Sequence, residues 1–253
     1  MGCGVCGDVN KDGFGNLLIG APENNKGGLR SGAAYLIFNS AKIPPLLTPL
    51  SKADVTFIGA KTELEAGTKM AGVADVNGDS FSDFIIAAPM ENNGARKIYL
   101  FFGKEHGLQA ETKFDDANVI FSGEKWGDNA GFAIASAGDV NKDGLNDFVI
   151  GAPPKNNSML TGVAKAYLIL GKKSSWLKNN SLANVDVVFE GEKSPDLFGS
   201  SVIGVGDVGK DGYDNITIGA PFYDLFGKKN AGKIHLFFGK AFAKGSTIRY
   251  IDC

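Results

Sequence analysis

The sequence predicts an all-β protein, and within that class a β-propeller built from four similar blades. Glycine accounts for 35 of the 253 residues, and no run of Ala, Glu, Lys and Leu has a helical period, which together favour many short strands joined by tight turns. A motif beginning Asp-Val recurs four times at intervals of roughly 64 to 68 residues, a spacing that suits one four-stranded sheet per repeat. The hydrophobic share of 43% provides for a folded core.

The repeat carries several features at fixed offsets. Its four copies begin with Asp8-Val-Asn-Lys-Asp-Gly, Asp75-Val-Asn-Gly-Asp-Ser, Asp139-Val-Asn-Lys-Asp-Gly and Asp207-Val-Gly-Lys-Asp-Gly. Twelve residues after each first Asp come Gly20-Ala-Pro, Ala87-Ala-Pro, Gly151-Ala-Pro and Gly219-Ala-Pro, and eight residues before it, in the last three copies, lie Gly67, Gly131 and Gly199. Constant offsets identify a structural unit that is repeated as a whole.

Each repeat is predicted to contain four strands. Short β-branched runs end at Phe57, Phe121 and Phe189, and a further run in each repeat is rich in aromatic and aliphatic residues, as in Ala34-Tyr-Leu-Ile-Phe. Four short strands bury too little surface alone, so the sheets must stack, and radial stacking leaves only short edges exposed. The predicted blades are residues 1–59, 60–123, 124–191 and 192–253. A stacked solenoid or a sandwich is the alternative.

The aspartate loops are predicted to bind calcium. Side-chain oxygens at positions 1, 3, 5 and 9, with the backbone carbonyl of position 7, give the alternation expected of a chain wrapped round a hard cation. The candidate ligands in chain order are Asp8, Asn10, Asp12, Phe14 and Asn16, then Asp75, Asn77, Asp79, Phe81 and Asp83, then Asp139, Asn141, Asp143, Leu145 and Asp147, and finally Asp207, Asp211, Tyr213 and Asn215. Turns of Asp, Asn and Gly that bind no metal are the alternative.

The loops differ from EF-hands at position 12, where an EF-hand places a bidentate Glu on an exiting helix. Here position 12 is an isoleucine inside an apolar, β-type run: Ile19, Ile86, Ile150 and Ile218. The sequence therefore predicts calcium loops that lead into strands.

The copies also predict a ranking of affinity. Loops two and three contain three aspartates each and should bind calcium best, whereas Gly209 removes the third-position oxygen of loop four. Ser80 stands at the sixth position of loop two, where a sharp turn favours glycine, so loop two should be strained.

The fixed order of a Phe-Gly turn, an Asp-x-Asn-x-Asp-Gly loop and Gly-Ala-Pro resembles the FG-GAP repeat of integrin α-chain propellers. Phe198-Gly199 keeps the naming pair, whereas the second and third copies read Ala66-Gly67 and Ala130-Gly131. The resemblance implies that calcium loops brace one side of the propeller while ligands are met on the other. Tyr250 takes the place of Phe57, so the chain should contain four blades. These four blades form either a whole ring or part of a longer propeller.

Several other functions are disfavoured. A net charge of −2 provides no basic surface for nucleic acid, and the longest apolar runs, such as 166–171, are too short to cross a bilayer. No signal sequence stands at the start. The cysteines Cys3, Cys6 and Cys253 are too few for a disulfide framework and are interpreted as small buried hydrophobes.

No enzyme motif is found. The patterns Gly2-x-Gly4-x-x-Gly7 and Gly204-x-Gly206-x-x-Gly209 match a dinucleotide-binding pattern but run into aspartate loops instead of helices. Neither His106 nor His235 suggests catalysis. Asn156 and Asn179 begin triplets that match glycosylation acceptors, and residues 172–180 are predicted to form an exposed loop.

These observations predict an interaction or adhesion module at the cell surface or outside the cell, held by up to four calcium ions, with a protein or glycan partner and no catalytic activity. The alternative is an accessory propeller of a larger secreted enzyme, such as the phospholipase-type proteins of the same family. A third hypothesis is a degenerate repeat fragment without a function of its own, which poor solubility would support.

Overall fold

A computed structural model of the chain describes residues 2–39, 49–59, 62, 64–88, 96–105, 108–125, 127–154, 163–192 and 196–249. Within these residues the chain forms eighteen β-strands, arranged in four sheets, and three single-turn 3₁₀ helices, Leu50–Lys52, Phe114–Asp116 and Leu182–Asn184. The prediction of an all-β protein is therefore confirmed.

The four sheets follow one another along the chain. Sheet 1 contains β1 (Gly2–Val5), β2 (Leu17–Ala21), β3 (Ala33–Ile37), β4 (Val55–Ile58) and β8 (Glu111–Lys113). Sheet 2 contains β5 (Lys69–Ala74), β6 (Asp83–Ala88), β7 (Lys97–Phe101), β9 (Val119–Ser122) and β13 (Asn179–Ser181). Sheet 3 contains β10 (Ala133–Gly138), β11 (Asp147–Ala152), β12 (Lys165–Ile169), β14 (Val187–Glu190) and β18 (Ser246–Arg249). Sheet 4 contains β15 (Ser201–Gly206), β16 (Asn215–Ala220) and β17 (Lys233–Phe237).

The first three sheets share one topology. Four strands of one repeat pair in order as an antiparallel meander, and a short strand from the next repeat then pairs in parallel with the outermost one, as Thr112 does beside Phe57. The strands β13 and β18 repeat this arrangement in sheets 2 and 3. The borrowed strand connects consecutive repeats at their outer edge.

The prediction of four strands per repeat is confirmed for the first three repeats. In the fourth repeat the described residues contribute β15, β16 and β17 to sheet 4, and β18 pairs in parallel with β14 of sheet 3 in the way that β8 and β13 pair with the sheets before them. Tyr250, predicted to take the place of Phe57, lies outside the described residues.

The sheets pack face to face in sequence order, with the first strands of neighbouring sheets side by side. The second strands of sheets 2 and 3, β6 and β11, are buried along their whole length because each lies between two other sheets. The core between sheets 1 and 2 contains a cluster of phenylalanines, in which the ring centroids of Phe57 and Phe101 are 4.7 Å apart. Similar cores separate sheets 2 and 3 and sheets 3 and 4.

The signature glycines meet across these packing surfaces. Gly20 lies against the carbonyl oxygen of Gly67 in the next repeat, and Gly151 lies against that of Gly199, so a Cβ at Gly20 or Gly151 would overlap with backbone. Gly67 and Gly199 have φ values of 88° and 85°, which side chains rarely adopt. Close contact between neighbouring sheets therefore explains why these glycines recur at fixed offsets.

Candidate metal centre

Each aspartate loop connects the first strand of a sheet to the second, so all four loops lie at the same end of the stacked sheets. The isoleucines at position 12 lie in β2, β6, β11 and β16. The prediction that these loops lead into strands, unlike EF-hands, is confirmed.

The carboxylate at position 1 organises its own loop. In loop two, Asp75 Oδ1 accepts the backbone N–H of Gly78 at 2.6 Å and Oδ2 accepts that of Ser80 at 2.7 Å. In loop four, hydrogen bonds from loop amides, that of Gly212 foremost, hold the pKa of Asp207 below its usual value. The first aspartate thus gathers the loop amides around an anion, as in an Asx turn.

The side chains at positions 3 and 5 of the loop are hydrogen-bonded to each other. The side-chain amide of Asn77 donates to Asp79 Oδ2 at 2.9 Å, and Asp79 Oδ1 accepts the backbone N–H of Phe81, also at 2.9 Å. The same pair in loop three, Asn141 and Asp143, is 2.8 Å apart. Loop four lacks this contact because Gly209 has no side chain.

The residue at position 9 is buried in every loop, and its side chain accepts a hydrogen bond from the backbone N–H of position 2. In loops two and three a second bond comes from a glycine that follows the third strand: Gly103 donates to Asp83 Oδ1 at 2.9 Å, and Gly171 to Asp147 Oδ1 at 2.7 Å. Burial raises the pKa of Asp83 to about 8 and that of Asp147 to about 7. Position 9 therefore connects the loop to the body of its sheet.

Sequence reasoning missed the two glycines that make these bonds. The repeated pairs Gly103-Lys104, Gly171-Lys172 and Gly239-Lys240 after the third strands were the available signal. A Cβ at any of the three glycines would press on backbone carbonyls of two consecutive aspartate loops. They mark the junctions between loops.

The backbone at position 6 is left-handed in all four loops. Gly13, Gly144 and Gly212 have φ between 87° and 89°, and Ser80 is held at φ 70°. This conformation is unfavourable for a residue with a Cβ, so the predicted strain in loop two is present in the structure.

Consecutive loops are hydrogen-bonded to one another. The backbone N–H at position 8 donates to the carbonyl of position 1 in the preceding loop, all at 3.0 Å, in the pairs Ser82 to Asp8, Asn146 to Asp75 and Asp214 to Asp139. Lys11 Nζ also lies 5.4 Å from the centre of the Phe81 ring, and Lys142 Nζ 5.2 Å from that of Tyr213. The four loops form one continuous chain of contacts.

The donor chemistry of the loops fits a hard cation. Carboxylate, amide and carbonyl oxygens are the ligands that calcium prefers, and Asn10 Oδ1 in loop one is a buried acceptor without a hydrogen-bond partner in the described part of the chain. Across the described ranges, however, no group of three or more His, Cys, Asp and Glu side chains is arranged to hold a metal ion. The carboxylates of Asp75 and Asp83 instead accept backbone N–H groups.

At the opposite end of the sheets, salt bridges join the third strands of sheets 3 and 4 to the segments that follow the fourth strands of the preceding sheets. Lys165, the first residue of β12, lies 2.9 Å from both carboxylate oxygens of Glu124, which follows sheet 2. Lys233, the first residue of β17, lies 2.6 Å from Glu192, which follows sheet 3 and also accepts a hydrogen bond from the Tyr223 hydroxyl. The sheets are therefore connected at both ends.

Cys6 is buried, as predicted, and burial raises its pKa to about 12. Asn179 belongs to strand β13, so the predicted loop over residues 172–180 ends earlier, because its last residues pair in parallel with β9. His106, Asn156 and Cys253 lie outside the described residues, and the side chain of Cys3 is likewise not described.

Both dinucleotide-like glycine patterns fall in strands and loops, and His235 is a buried residue of β17. Among the described residues, no helix has the length and apolar character needed to cross a membrane.

Comparison with known proteins identifies the repeat. The FG-GAP repeat family matches residues 66–101, 130–162 and 198–237, so the first aspartate loop lies outside the matched ranges. The chain is 32% identical over 157 residues to integrin alpha-PS5 of Drosophila melanogaster, covering 59% of this chain and 14% of that protein. It is 27% identical over 147 residues to integrin alpha-6 of Gallus gallus, covering 57% of this chain and 12% of that protein.

A second kind of relative matches more of the chain. Human phosphatidylinositol-glycan-specific phospholipase D is 30% identical over 238 residues, which cover 90% of this chain and 26% of that protein. The chain thus spans about a quarter or less of these relatives. Three matched repeats at the predicted spacing, carried by four stacked sheets, identify the chain as an FG-GAP repeat protein similar to integrin α chains.

Proposed function

We propose that the chain is a calcium-stabilised β-propeller region that serves as an extracellular or cell-surface interaction module. The observation that carries this proposal is the array of aspartate loops at one end of the sheets, hydrogen-bonded from each loop to the next. The division into four blades, at residues 1–59, 60–123, 124–191 and 192–253, is part of the proposal.

Calcium is the cation that the loops suit best. Their donors are oxygens, and extracellular calcium is abundant enough for sites of modest affinity. The residues proposed to hold it are the side chains at positions 1, 3, 5 and 9 and the carbonyls of Phe14, Phe81, Leu145 and Tyr213. Binding requires the carboxylates at positions 1 and 9 to exchange some of their present amide partners for the cation.

The role of calcium is proposed to be structural. A bound cation would neutralise the carboxylates that each loop concentrates, and the bonds from Ser82 to Asp8, Asn146 to Asp75 and Asp214 to Asp139 would transmit that order from loop to loop. The opposite end, where the second and third strands connect, would then be held rigid enough to present loops to a protein or glycan. This placement of the partner rests on the likeness to integrin α chains.

An accessory propeller within a larger secreted enzyme is the second candidate. The match to human phosphatidylinositol-glycan-specific phospholipase D, over 90% of this chain, favours it specifically. No catalytic constellation was predicted from the sequence, so a catalytic domain elsewhere in the same polypeptide would have to perform any reaction. Finding such a domain in the transcript would favour this candidate.

Two experiments test the proposal. Calorimetric titration with calcium should reveal saturable sites, up to four, with magnesium binding much more weakly. Surfaces coated with the chain should capture cells in calcium and release them in chelator. Alternatively, the chain should bind a glycan array in calcium and not in chelator. A chain that binds calcium but captures nothing would retain the structural role and contradict the adhesion role.

A further inference from the structure

The outer edge of sheet 2 is formed by the short strand β13, which consists of Asn179, Asn180 and Ser181. Sheet 2 lies between sheets 1 and 3 and packs against both. The far edge of β13 pairs with no described strand, although other repeats precede and follow sheet 2. β13 is therefore an edge strand on the outer rim of an interior sheet.

The three borrowed strands differ at two equivalent positions, which lie on either side of the residue opposite Phe57, Phe121 or Phe189. These positions are Glu111 and Lys113 in β8, Thr247 and Arg249 in β18, and Asn179 and Ser181 in β13. Charged side chains on an edge strand oppose its pairing with another chain. β8 and β18 carry such charges, whereas β13 carries none. The edge of sheet 2 therefore lacks the protection that its two counterparts have.

The residues of β13 also form an acceptor triplet for N-linked glycosylation. The pattern is Asn-x-Ser or Asn-x-Thr, with any residue except proline in the middle, and Asn179-Asn180-Ser181 matches it. Alternate residues of a strand lie on the same face, so Asn179 and Ser181 share one side of β13. Asn179 is exposed and Ser181 is half-buried. The acceptor amide is therefore accessible on the outer rim of the folded chain.

A second triplet, Asn215-Ile216-Thr217, has the opposite environment. Asn215 is 0% exposed. Its Oδ1 accepts the backbone N–H of Val208 at 3.2 Å, and its Nδ2 donates to the carbonyl of Tyr213 at 3.0 Å. A glycan on this nitrogen would break the second bond and force the side chain out of the core, so the folded chain should not carry one. A third triplet begins at Asn156, which lies outside the described residues.

We propose that Asn179 carries an N-linked glycan, which shields the uncharged edge of β13. Because such glycans are added in the secretory pathway, the modification depends on the extracellular location proposed above. In the transfer, Asn179 Nδ2 forms a bond to C1 of the first sugar of a lipid-linked oligosaccharide and loses one proton. The bond from C1 to the lipid diphosphate breaks, and the diphosphate leaves with the electron pair. A glycan is bulky and solubilising, and on the outer rim it leaves the aspartate loops accessible.

Mass spectrometry of the peptide that contains Asn179 tests the site. The 253-residue chain is directed into the secretory pathway of insect cells by an added signal peptide, and both retained and secreted protein are digested. We expect a glycan on Asn179 in most molecules, and its loss in Asn179→Gln and in Ser181→Ala. Moving the triplet to the equivalent positions of β8, by Glu111→Asn with Lys113→Ser, should add a second glycan. Asn215 should be unmodified in the secreted protein.

The rate of aggregation on mild heating, followed by light scattering, tests the shielding role. Asn179→Gln should aggregate several times faster than the glycosylated wild type. Asn179→Lys also lacks the glycan but places a charge on the edge, as β8 and β18 do, so it should aggregate as slowly as the wild type. Circular dichroism shows whether each variant is folded.

Two results would overturn the proposal. An unmodified Asn179 in both retained and secreted protein would overturn the site, and it would leave the calcium-stabilised module untouched. Equal aggregation of the glycosylated wild type and Asn179→Gln would overturn the shielding role. A glycosylated chain that binds no calcium would contradict the proposed function and still support the glycan at Asn179.

Discussion

The backbone amide of Asn146 donates a hydrogen bond to the carbonyl oxygen of Asp75 at 3.0 Å, which joins the third aspartate loop to the second. Equivalent bonds join the other neighbouring loops, so each loop is supported by the next. A change at one loop is therefore expected to affect the packing of two sheets.

Exchanging the residue at position 6 should change stability in opposite directions in two loops. Ser80→Gly relieves a left-handed backbone at φ 70° and should raise the free energy of unfolding by about 0.5–1 kcal/mol. Gly144→Ser, at φ 87°, should lower it by a similar amount. Urea unfolding in calcium measures both, and equal effects of the same sign would contradict the assigned strain.

Adding a Cβ to a signature glycine should be costly only where another sheet follows. Gly151→Ala presses on the carbonyl of Gly199, which lies just before the first strand of sheet 4, and should destabilise by about 1–3 kcal/mol. The matched control is Gly219→Ala, where the new Cβ meets chiefly the Ser201 side chain, so the cost should stay within about 0.5 kcal/mol. Equal losses of unfolding free energy for the two variants, measured by chemical unfolding, would show that contact between sheets is not the reason for glycine at these positions.

Loop four should gain calcium affinity when its missing oxygen is restored. A side chain at Gly209 would meet the Asp211 carboxylate at ordinary distances of 3.7–3.8 Å, so Gly209→Asn fits the loop. Because Asn10, Asn77 and Asn141 occupy this position in the other loops, we expect affinity at loop four to rise about tenfold, or about 1.4 kcal/mol. Gly209→Ala, which fills space without an oxygen, is the control in the calorimetric titration and should bring no gain.

Without calcium, stability should fall as pH rises from about 4 to about 8. The pKa values of Asp83 and Asp147 are raised by burial to about 8 and about 7, whereas an unfolded Asp titrates near 3.9. The folded chain therefore holds protons in this window that the unfolded chain has released, so raising the pH favours unfolding. Urea unfolding in chelator measures this slope.

The pH slope has an internal control. Asp83→Asn with Asp147→Asn removes both titrating groups, and Asn16 and Asn215 show that asparagine is accommodated at this position in loops one and four. The double variant should show a much flatter pH dependence in chelator. An unchanged slope would assign it to other carboxylates.

The sequence predicted the repeat architecture because its signals are local and recur. The fixed offsets of Gly20 and Gly67 can be read from an alignment of the four copies. Their contact across two sheets is visible only in the structure. Likewise, Ile86 in an apolar run was enough to predict that a strand follows the loop. Repetition turned weak patterns into a consistent one.

The features missed from the sequence depend on contacts between distant residues. The parallel strand that each sheet borrows from the next repeat, such as β13 beside β9, is only three residues long and has no distinct pattern. The bond from Asn146 to Asp75 uses backbone atoms alone, so residue types at position 8 vary freely among Gly, Ser, Asn and Asp. Asp83 is buried and accepts hydrogen bonds from Val76 and Gly103, and the pattern of candidate ligands did not predict these bonds.

Thermal unfolding of the purified chain in millimolar calcium, compared with excess chelator and with magnesium, tests the central claim most directly. Calcium at 100 times the dissociation constant should add about 2.7 kcal/mol per site that exists only in the folded state, and the melting temperature should rise clearly. Asp79→Ala together with Asp143→Ala should remove most of that rise. An equal melting temperature in calcium and in chelator would contradict the claim and reduce the aspartate loops to ordinary turns.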